Sequence, residues 1–197
     1  MTAVWVPLAG IVLFLGVGIG WRSWLQARRY GSSGFLLFQS GRPSQHIRDA
    51  LGVVLAVALL GQALRAALVP YPTPPAGSRA IGITLLFGGV VFLVASQLNL
   101  GASWRIGIEE GARPGLVTTG IYAFCRNPIY LAMLITIAGY AVLIPTPLSI
   151  VMLVGAFIGI RRQIFAEEDY LIRTYGDAYR AYAARVGRFL PGIGRLR

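Results

Sequence analysis

The chain has 197 residues, of which 56% are hydrophobic and 13% charged, with a mean hydropathy of +0.67; these values exclude an ordinary soluble domain and indicate an integral membrane protein. The net charge of +11 comes from 18 basic residues, all arginine, against 7 acids, and their clustering between apolar stretches reads as membrane topology, not nucleic-acid binding. The lone Cys125 excludes an intramolecular disulfide, and with a single histidine, His46, it offers no ligand spacing for a zinc or haem site.

The first apolar run, 4–21, is expected to be a retained span, because it lacks a basic start and Trp21-Arg22 stands where small residues would mark a cleavage site. Segment 22–49, with Arg22, Arg28, Arg29, Arg42 and Arg48 around an apolar Phe35 to Phe38, reads as a loop bearing an interfacial patch. Runs 50–69 and 80–100 are each long enough to cross, and the proline-rich 70–79 between them is expected to be extended. Run 129–160 is far too long for one crossing at about 1.5 Å per residue. Pro145-Thr146-Pro147 splits it into a helical hairpin. Beyond Ile160, Phe165, Glu168, Leu171 or Ile172, Tyr175, Tyr179, Tyr182 and Val186 recur at steps of three and four, the pattern of an amphipathic helix or pair of helices. Gly176 is expected to close one helix and Asp177 to cap the next. Gly16 with Gly20, and Gly155 with Gly159, are small-residue pairs that permit close helix approach.

The expected fold is therefore all-α, with five transmembrane helices and a C-terminal amphipathic cytosolic segment. Sixteen of the 18 arginines fall on one side of such a chain, which by the positive-inside rule puts the N-terminus outside and the C-terminus in the cytoplasm. Arg65, one turn from the outer end of its span, is expected to snorkel to the interface.

The run from Leu116 to Tyr130, L-V-T-T-G-I-Y-A-F-C-R-N-P-I-Y, sets a glycine turn, an arginine and Asn127-Pro128 at the entrance to the hairpin, and Glu167-Glu168 follow its exit. A hairpin that turns at Pro145 returns Glu167 and Glu168 to the depth of Arg126 and Asn127. Pro128 suits the first turn of a helix, where free backbone donors and the positive dipole end gather. An amide, a planar cation and an opposing carboxylate suit a zwitterionic, nucleotide-like cofactor. Trp104, Tyr122, Phe124 and Tyr130 either line the boundary between cofactor and lipid or serve as interface anchors.

The same run, followed by a hairpin, E-E-D-Y-L, Y-G-D-A-Y-R-A-Y and V-G-R-F-L-P, resembles the isoprenylcysteine carboxyl methyltransferase family and its bacterial relatives, over about residues 103–191. The resemblance implies a single membrane methyltransferase domain over 1–197, with three N-terminal spans in 1–100 and the catalytic and cofactor-binding region in 101–197. It implies S-adenosylmethionine held by Leu116, Val117, Tyr122, Asn127, Pro128, Ile129, Tyr130 and Glu167. Arg126 and Glu168 are the expected catalytic pair, and Arg162 and Gln163 the expected acceptor-binding pair. Asn127 stands where the eukaryotic motif R-H-P has histidine, which removes a titratable group. Gln163 stands where those enzymes carry an arginine for the acceptor carboxylate, and Arg162 beside it is the expected substitute.

The partners implied are a lipophilic small-molecule acceptor and membrane lipids, with no nucleic acid and no obligate protein partner. The all-arginine basic set and compact length point to a prokaryotic inner membrane. Two other classes compete: an NADPH-dependent membrane reductase of the sterol-reductase type, for which the chain is short, and a noncatalytic scaffold, which leaves the convergence of Arg126-Asn127 with Glu167-Glu168 unexplained. The orientation is directly testable. Tags after Arg197 and within 31–34 should label from the cytoplasm and one within 73–77 from outside; a 73–77 tag that labels from inside would overturn it.

Overall fold

The computed structural model describes residues 5–69, 72–107 and 115–196. Its α-helices are α1 (Val6–Leu15), α2 (Arg22–Tyr30), α3 (Pro43–Leu68), α4 (Ala76–Leu100), α5 (Pro128–Leu143), α6 (Pro147–Tyr175) and α7 (Asp177–Arg185). A π-helical segment, Gly16–Trp21, joins α1 to α2 without a break. Among the described residues there are no extended strands, only the isolated bridges Phe35 to Ile106 and Cys125 to Gly187. Four helical runs are long and apolar enough to cross a membrane: Val6–Tyr30, Pro43–Leu68, Ala76–Ser103 and Pro147–Tyr175. The 16 residues of α5 reach only about 24 Å at the helical rise, making it the short arm of the hairpin.

The helices overrun the apolar stretches that announce them, so segment 22–49 is not one long loop. Only 31–42 is non-helical, because α2 continues from the first span and α3 starts at Pro43. The polar residues in these extensions have internal partners. Arg22, 1% exposed, donates to the Gly101 carbonyl at 2.7 Å and to Gln26 Oε1 at 2.8 Å, and Gln26 donates to the Ala102 carbonyl at 2.9 Å. These bonds satisfy carbonyls of the short turn, Gly101–Ser103, that follows α4. The Arg22 guanidinium also lies 4.6 Å from the Trp104 ring centre. Trp104 is therefore buried beneath a cation and is not an interface anchor. Within 70–79, helix already begins at Ala76, so of the described residues only 72–75 are non-helical. Arg65 is exposed at the end of α3.

Apolar surface gains little by moving from lipid to protein, so membrane helices associate through close packing. Here α4 and α5 touch backbone to backbone. A Cβ on Gly139 would lie 2.3 Å from the Leu86 amide nitrogen, and one on Gly89 would lie 2.3 Å from Thr136 Oγ1. A Cβ on Gly82 would come 2.8 Å from Leu143. Helix α1 and the π-helical segment after it meet α4 through glycine against side chain, with Gly10 against Leu86 and Gly18 against Leu93. By contrast, a Cβ at Gly16, Gly20, Gly155 or Gly159 would meet nothing within 4 Å. The expected close approach through those pairs does not occur within this chain; seven-residue spacing of Gly82 and Gly89 on α4 provides it instead. Val54, Val57, Ile81, Val91, Val151 and Val154 point outward as apolar exposed side chains, the surface lipid would cover.

The hairpin turn is tied to α3 by polar groups. Gln62 donates to Thr146 Oγ1 at 2.7 Å, the Tyr140 hydroxyl lies 2.9 Å from Gln62 Oε1, and Thr146 caps α6 by accepting the Ser149 amide at 3.0 Å. At its other end α6 runs unbroken to Tyr175. Gly176 ends it at φ 54°, as expected, but Gly176 and not Asp177 is the N-cap of α7. Asp177 is the first helical residue and pairs with Arg180 at 3.2 Å on the exposed face.

Candidate active site

The segment leading into α5 is seated on the end of α4. Gly120 adopts φ +60°, and a Cβ there would lie 2.1 Å from Asn99 Oδ1, which accepts the Ile121 amide at 3.2 Å. Only glycine meets both demands. The turn that follows buries Tyr122, whose carbonyl accepts the Tyr182 hydroxyl at 2.7 Å. Burial raises the pKa of both phenols above their ordinary values, so at neutral pH Tyr182 carries the proton that this bond needs. Leu116 packs on Tyr179, Tyr182 and Ala183 of α7, and Val117 is half-buried beside it in sequence.

Cys125 pairs with Gly187, and the C-terminal strap 186–196 then runs alongside the entrance to α5. The Arg126 amide donates to the Gly187 carbonyl at 3.0 Å, and the Asn127 amide and Nδ2 donate to the Arg188 carbonyl at 3.2 and 3.1 Å. The Arg126 side chain is buried and both its terminal nitrogens are engaged: Nη1 donates to the carbonyls of Ala183 and Val186, each at 2.7 Å, and Nη2 to the Gly194 carbonyl at 3.1 Å and to Glu168 Oε1 at 2.7 Å, while Nε has no partner among the described residues. Glu168 is equally occupied, with Arg188 Nη2 2.7 Å from Oε2 and Arg188 Nε 3.0 Å from Oε1. The bonds to Glu168 push the Arg188 pKa up. Burial pushes the Cys125 thiol up as well, away from the thiolate a nucleophile needs.

Glu167, one residue earlier on α6, faces a different neighbourhood. Its Oε1 accepts from the Tyr130 hydroxyl and from Gln163 Nε2 at 2.9 Å, while Oε2 accepts no bond among the described residues. Gln163 Oε1 accepts from Arg48 Nε at 3.0 Å and Gln45 Nε2 at 3.2 Å, and Gln45 donates to Asp49 at 2.7 Å. One polar network thus joins α3, α5 and α6. Pro128 is fully buried at the first position of α5, and Ile129 packs on Phe14, Val90, Leu93 and Ala132.

The structure thus gathers Asn127, Pro128, Tyr130, Gln163 and Glu167 at one end of the hairpin, with Tyr122 and Leu116 on the flank toward α7. Arg126 and Glu168 are brought together too, but as a buried ion pair bonded to the strap. Arg162 is exposed and is not drawn into the cluster. The cation beside Gln163 is Arg48, which sequence reasoning assigned only to topology. A signal existed, since Gln45, Arg48 and Asp49 sit at i, i+3 and i+4 and so share one face of a helix. Arg188 was likewise overlooked, although it lies inside V-G-R-F-L-P.

A family model described as phospholipid methyltransferase matches residues 78–178, just over half of the chain, and the chain belongs to that family. A protein-S-isoprenylcysteine O-methyltransferase of Dictyostelium discoideum is 32% identical over 114 residues, covering 56% of this chain and 48% of that protein. The Mus musculus protein of the same name is 28% identical over 117 residues, covering 58% of this chain and 41% of its own length. The chain thus spans about half or less of these curated relatives. The solved structure of a eukaryotic intramembrane Ras methyltransferase, an isoprenylcysteine carboxyl methyltransferase, superposes with a TM-score of 0.58 at 20% identity, over 88% of this chain and 61% of that one. It shows that the membrane fold is shared. The resemblance read from the sequence is borne out by these relatives.

The ion pair makes a stability prediction. Glu168→Ala leaves the Arg126 guanidinium buried without its carboxylate, which should cost about 3–5 kcal/mol and lower the melting temperature in detergent far more than Glu167→Ala. Equal melting of the two variants would show that the Arg126–Glu168 pair does not hold the strap.

Proposed function

We propose that the chain is an integral membrane methyltransferase that uses S-adenosylmethionine to methylate a lipophilic acceptor drawn from the bilayer. The observation that carries this reading is Glu167: one carboxylate oxygen is oriented by Tyr130 and Gln163, and the other has no partner among the described residues. Asn127 supports it, since its Nδ2 is spent on the Arg188 carbonyl while its Oδ1 takes no bond among the described residues. A half-satisfied carboxylate on α6 and a half-satisfied amide at the start of α5 fit a ligand that brings an ammonium group and ribose hydroxyls.

When bound, S-adenosylmethionine supplies a methyl group on an electron-poor sulfonium. The residues around it hold and orient. Glu167 Oε2 would accept from the ligand's amine or hydroxyls. The amides of Ile129 and Tyr130, in the first turn of α5, have no carbonyl within the helix to receive them and suit a carboxylate. Tyr130 and Gln163 fix the Glu167 rotamer. Tyr122, Leu116 and Val117 form the wall toward α7, and Arg126 with Glu168 positions the strap that closes the site from the C-terminal side. An acceptor that is already a carboxylate or thiolate requires no strong base, in keeping with Asn127 where a histidine would titrate; the gain comes from alignment in a dry pocket.

The acceptor would enter from lipid. An apolar cleft of about 430 Å³ opens between the hairpin helices, lined by Leu134, Ile135, Ala138, Leu153, Val154 and Phe157, and it begins one helical turn from Tyr130. Within the acceptor end, Gln163 is held by Arg48 from α3, which offers the positive charge that Arg162, pointing outward, does not. An isoprenylcysteine-like carboxylate or a thiol suits this arrangement. In the same reading α5 completes a fifth crossing, with the N-terminus outside and the C-terminus in the cytoplasm of a prokaryote.

Calorimetric titration of the solubilised protein with S-adenosylmethionine, S-adenosylhomocysteine and NADPH tests the proposal. The first two should bind and NADPH should not. Glu167→Ala should remove a charged hydrogen bond of about 1.5–3 kcal/mol, or tenfold or more in affinity. NADPH binding alone would make the chain a reductase, binding of none of the three would leave a scaffold, and unchanged affinity in a folded Glu167→Ala protein would remove that residue from the site.

A further inference from the structure

The strap has an outer face that the methyl-transfer reading leaves unused. Along α6 the exposed apolar side chains Val151, Val154, Phe157 and Ile158 give way to the exposed Arg161 and Arg162, which mark where hydrocarbon meets headgroups. Phe165 follows one turn later, about 6 Å along the axis. The Arg161 and Arg188 guanidiniums lie 5.4 and 4.7 Å from its ring centre. Arg188 belongs to the strap, so the strap lies at headgroup depth.

At that depth it presents apolar side chains outward. Leu190 is 52% and Ile193 63% exposed, and Phe124, next to the Cys125–Gly187 bridge, is 68% exposed. The strap is too tightly closed to turn them inward: a Cβ on Gly187 would lie 1.8 Å from the Leu190 carbonyl oxygen, and the Arg188 amide donates to Ile193 O at 2.8 Å. Arg185 and Arg195 flank these residues, both exposed and neither paired with an acid among the described residues. The Arg195 guanidinium lies near Gly192, 3.8 Å from where its Cβ would be, and Gly192 stands between Leu190 and Ile193 in the chain.

We infer that the strap 186–196 is a docking surface for a bilayer carrying anionic lipid, with Leu190, Ile193 and Phe124 seated among the headgroups and Arg185 and Arg195 holding their negative charge. Exposed apolar side chains interleaved with unpaired arginines are what such a surface selects; an acidic protein would satisfy the arginines but not the apolar tips. Because the Arg188 carbonyl receives both Asn127 donors, lipid that orders the strap also orders one side of the candidate site. The inference goes beyond the methyltransferase reading and rests on the strap's geometry alone.

Deuterium exchange of the full chain in nanodiscs tests it, comparing phosphatidylcholine alone with phosphatidylcholine plus phosphatidylglycerol. The amides to follow are those of Arg188, Ile193 and Leu196, which donate within the strap or to α7. Each engaged arginine should slow exchange in the anionic discs about fivefold, and high salt should reverse the effect. The Arg185→Gln, Arg195→Gln double variant, whose native side chains bear no hydrogen bond or ion pair among the described residues, should exchange at the neutral-disc rate in both lipids. Ile193→Ser should lose part of the protection in discs only. Equal exchange in the two lipids, or protection that survives the double arginine substitution, overturns the inference. Protection added by a soluble acidic polypeptide, without anionic lipid, overturns it in favour of a protein partner. Titration of S-adenosylmethionine into the same discs keeps the two proposals apart, since failure to bind counts against the methyltransferase reading alone.

Discussion

The Arg126–Glu168 ion pair, 2.7 Å long with side chains 1% and 5% exposed, is the interaction on which the candidate site depends. Burying two ions is costly, and the pair is tolerated because three backbone carbonyls engage the terminal nitrogens of Arg126 and Arg188 engages Glu168. Those partners all come from residues 183–194, so satisfying the ions forces the C-terminal strap against the entrance to α5. Each ion also has a neighbour that the pairing releases. Adjacent helical residues point about 100° apart, so while Glu168 turns toward Arg126, Glu167 turns toward Tyr130 and Gln163. One residue of each couplet holds the structure, and the other, Asn127 or Glu167, is left to the candidate site.

That division requires α5 to stand at a fixed depth, and glycine supplies the means. With no side chains at Gly82, Gly89 and Gly139, α4 and α5 lie close enough for backbone to meet backbone. The end of α4 then becomes the platform on which Gly120 and Ile121 rest through Asn99. The N-terminal half is more than an anchor: α3 delivers Gln45 and Arg48 to Gln163, so the polar network at Glu167 spans residues 118 positions apart in the chain.

Hydropathy and proline placement made the spans, the hairpin turn and the break at Gly176 legible in the sequence, because each reflects a local cost: apolar length, missing donors, a left-handed backbone. The convergence of Asn127 with Glu167 followed from the hairpin alone. What was hidden depends on long-range partners. Arg22 and Gln26 read as loop residues because nothing local reveals the Gly101 and Ala102 carbonyls that satisfy them. The four-residue glycine pairs attracted attention over Gly82 and Gly89, yet which face meets a neighbour is decided by tertiary packing. Arg162 and Gln163 are adjacent in sequence but face apart, so the charge near Gln163 comes from α3. The strap's pairing with Cys125 involves an isolated bridge and leaves no alternating pattern to read.

In the proposed function, the start of α5 and the facing turn of α6 form one binding site for S-adenosylmethionine. Photo-crosslinking with methyl-labelled S-adenosylmethionine, followed by peptide mapping, tests it most directly. The account predicts label within residues 116–130 and 163–168, suppressed by S-adenosylhomocysteine. Label confined to other segments, or label in these segments that S-adenosylhomocysteine does not displace, would contradict it.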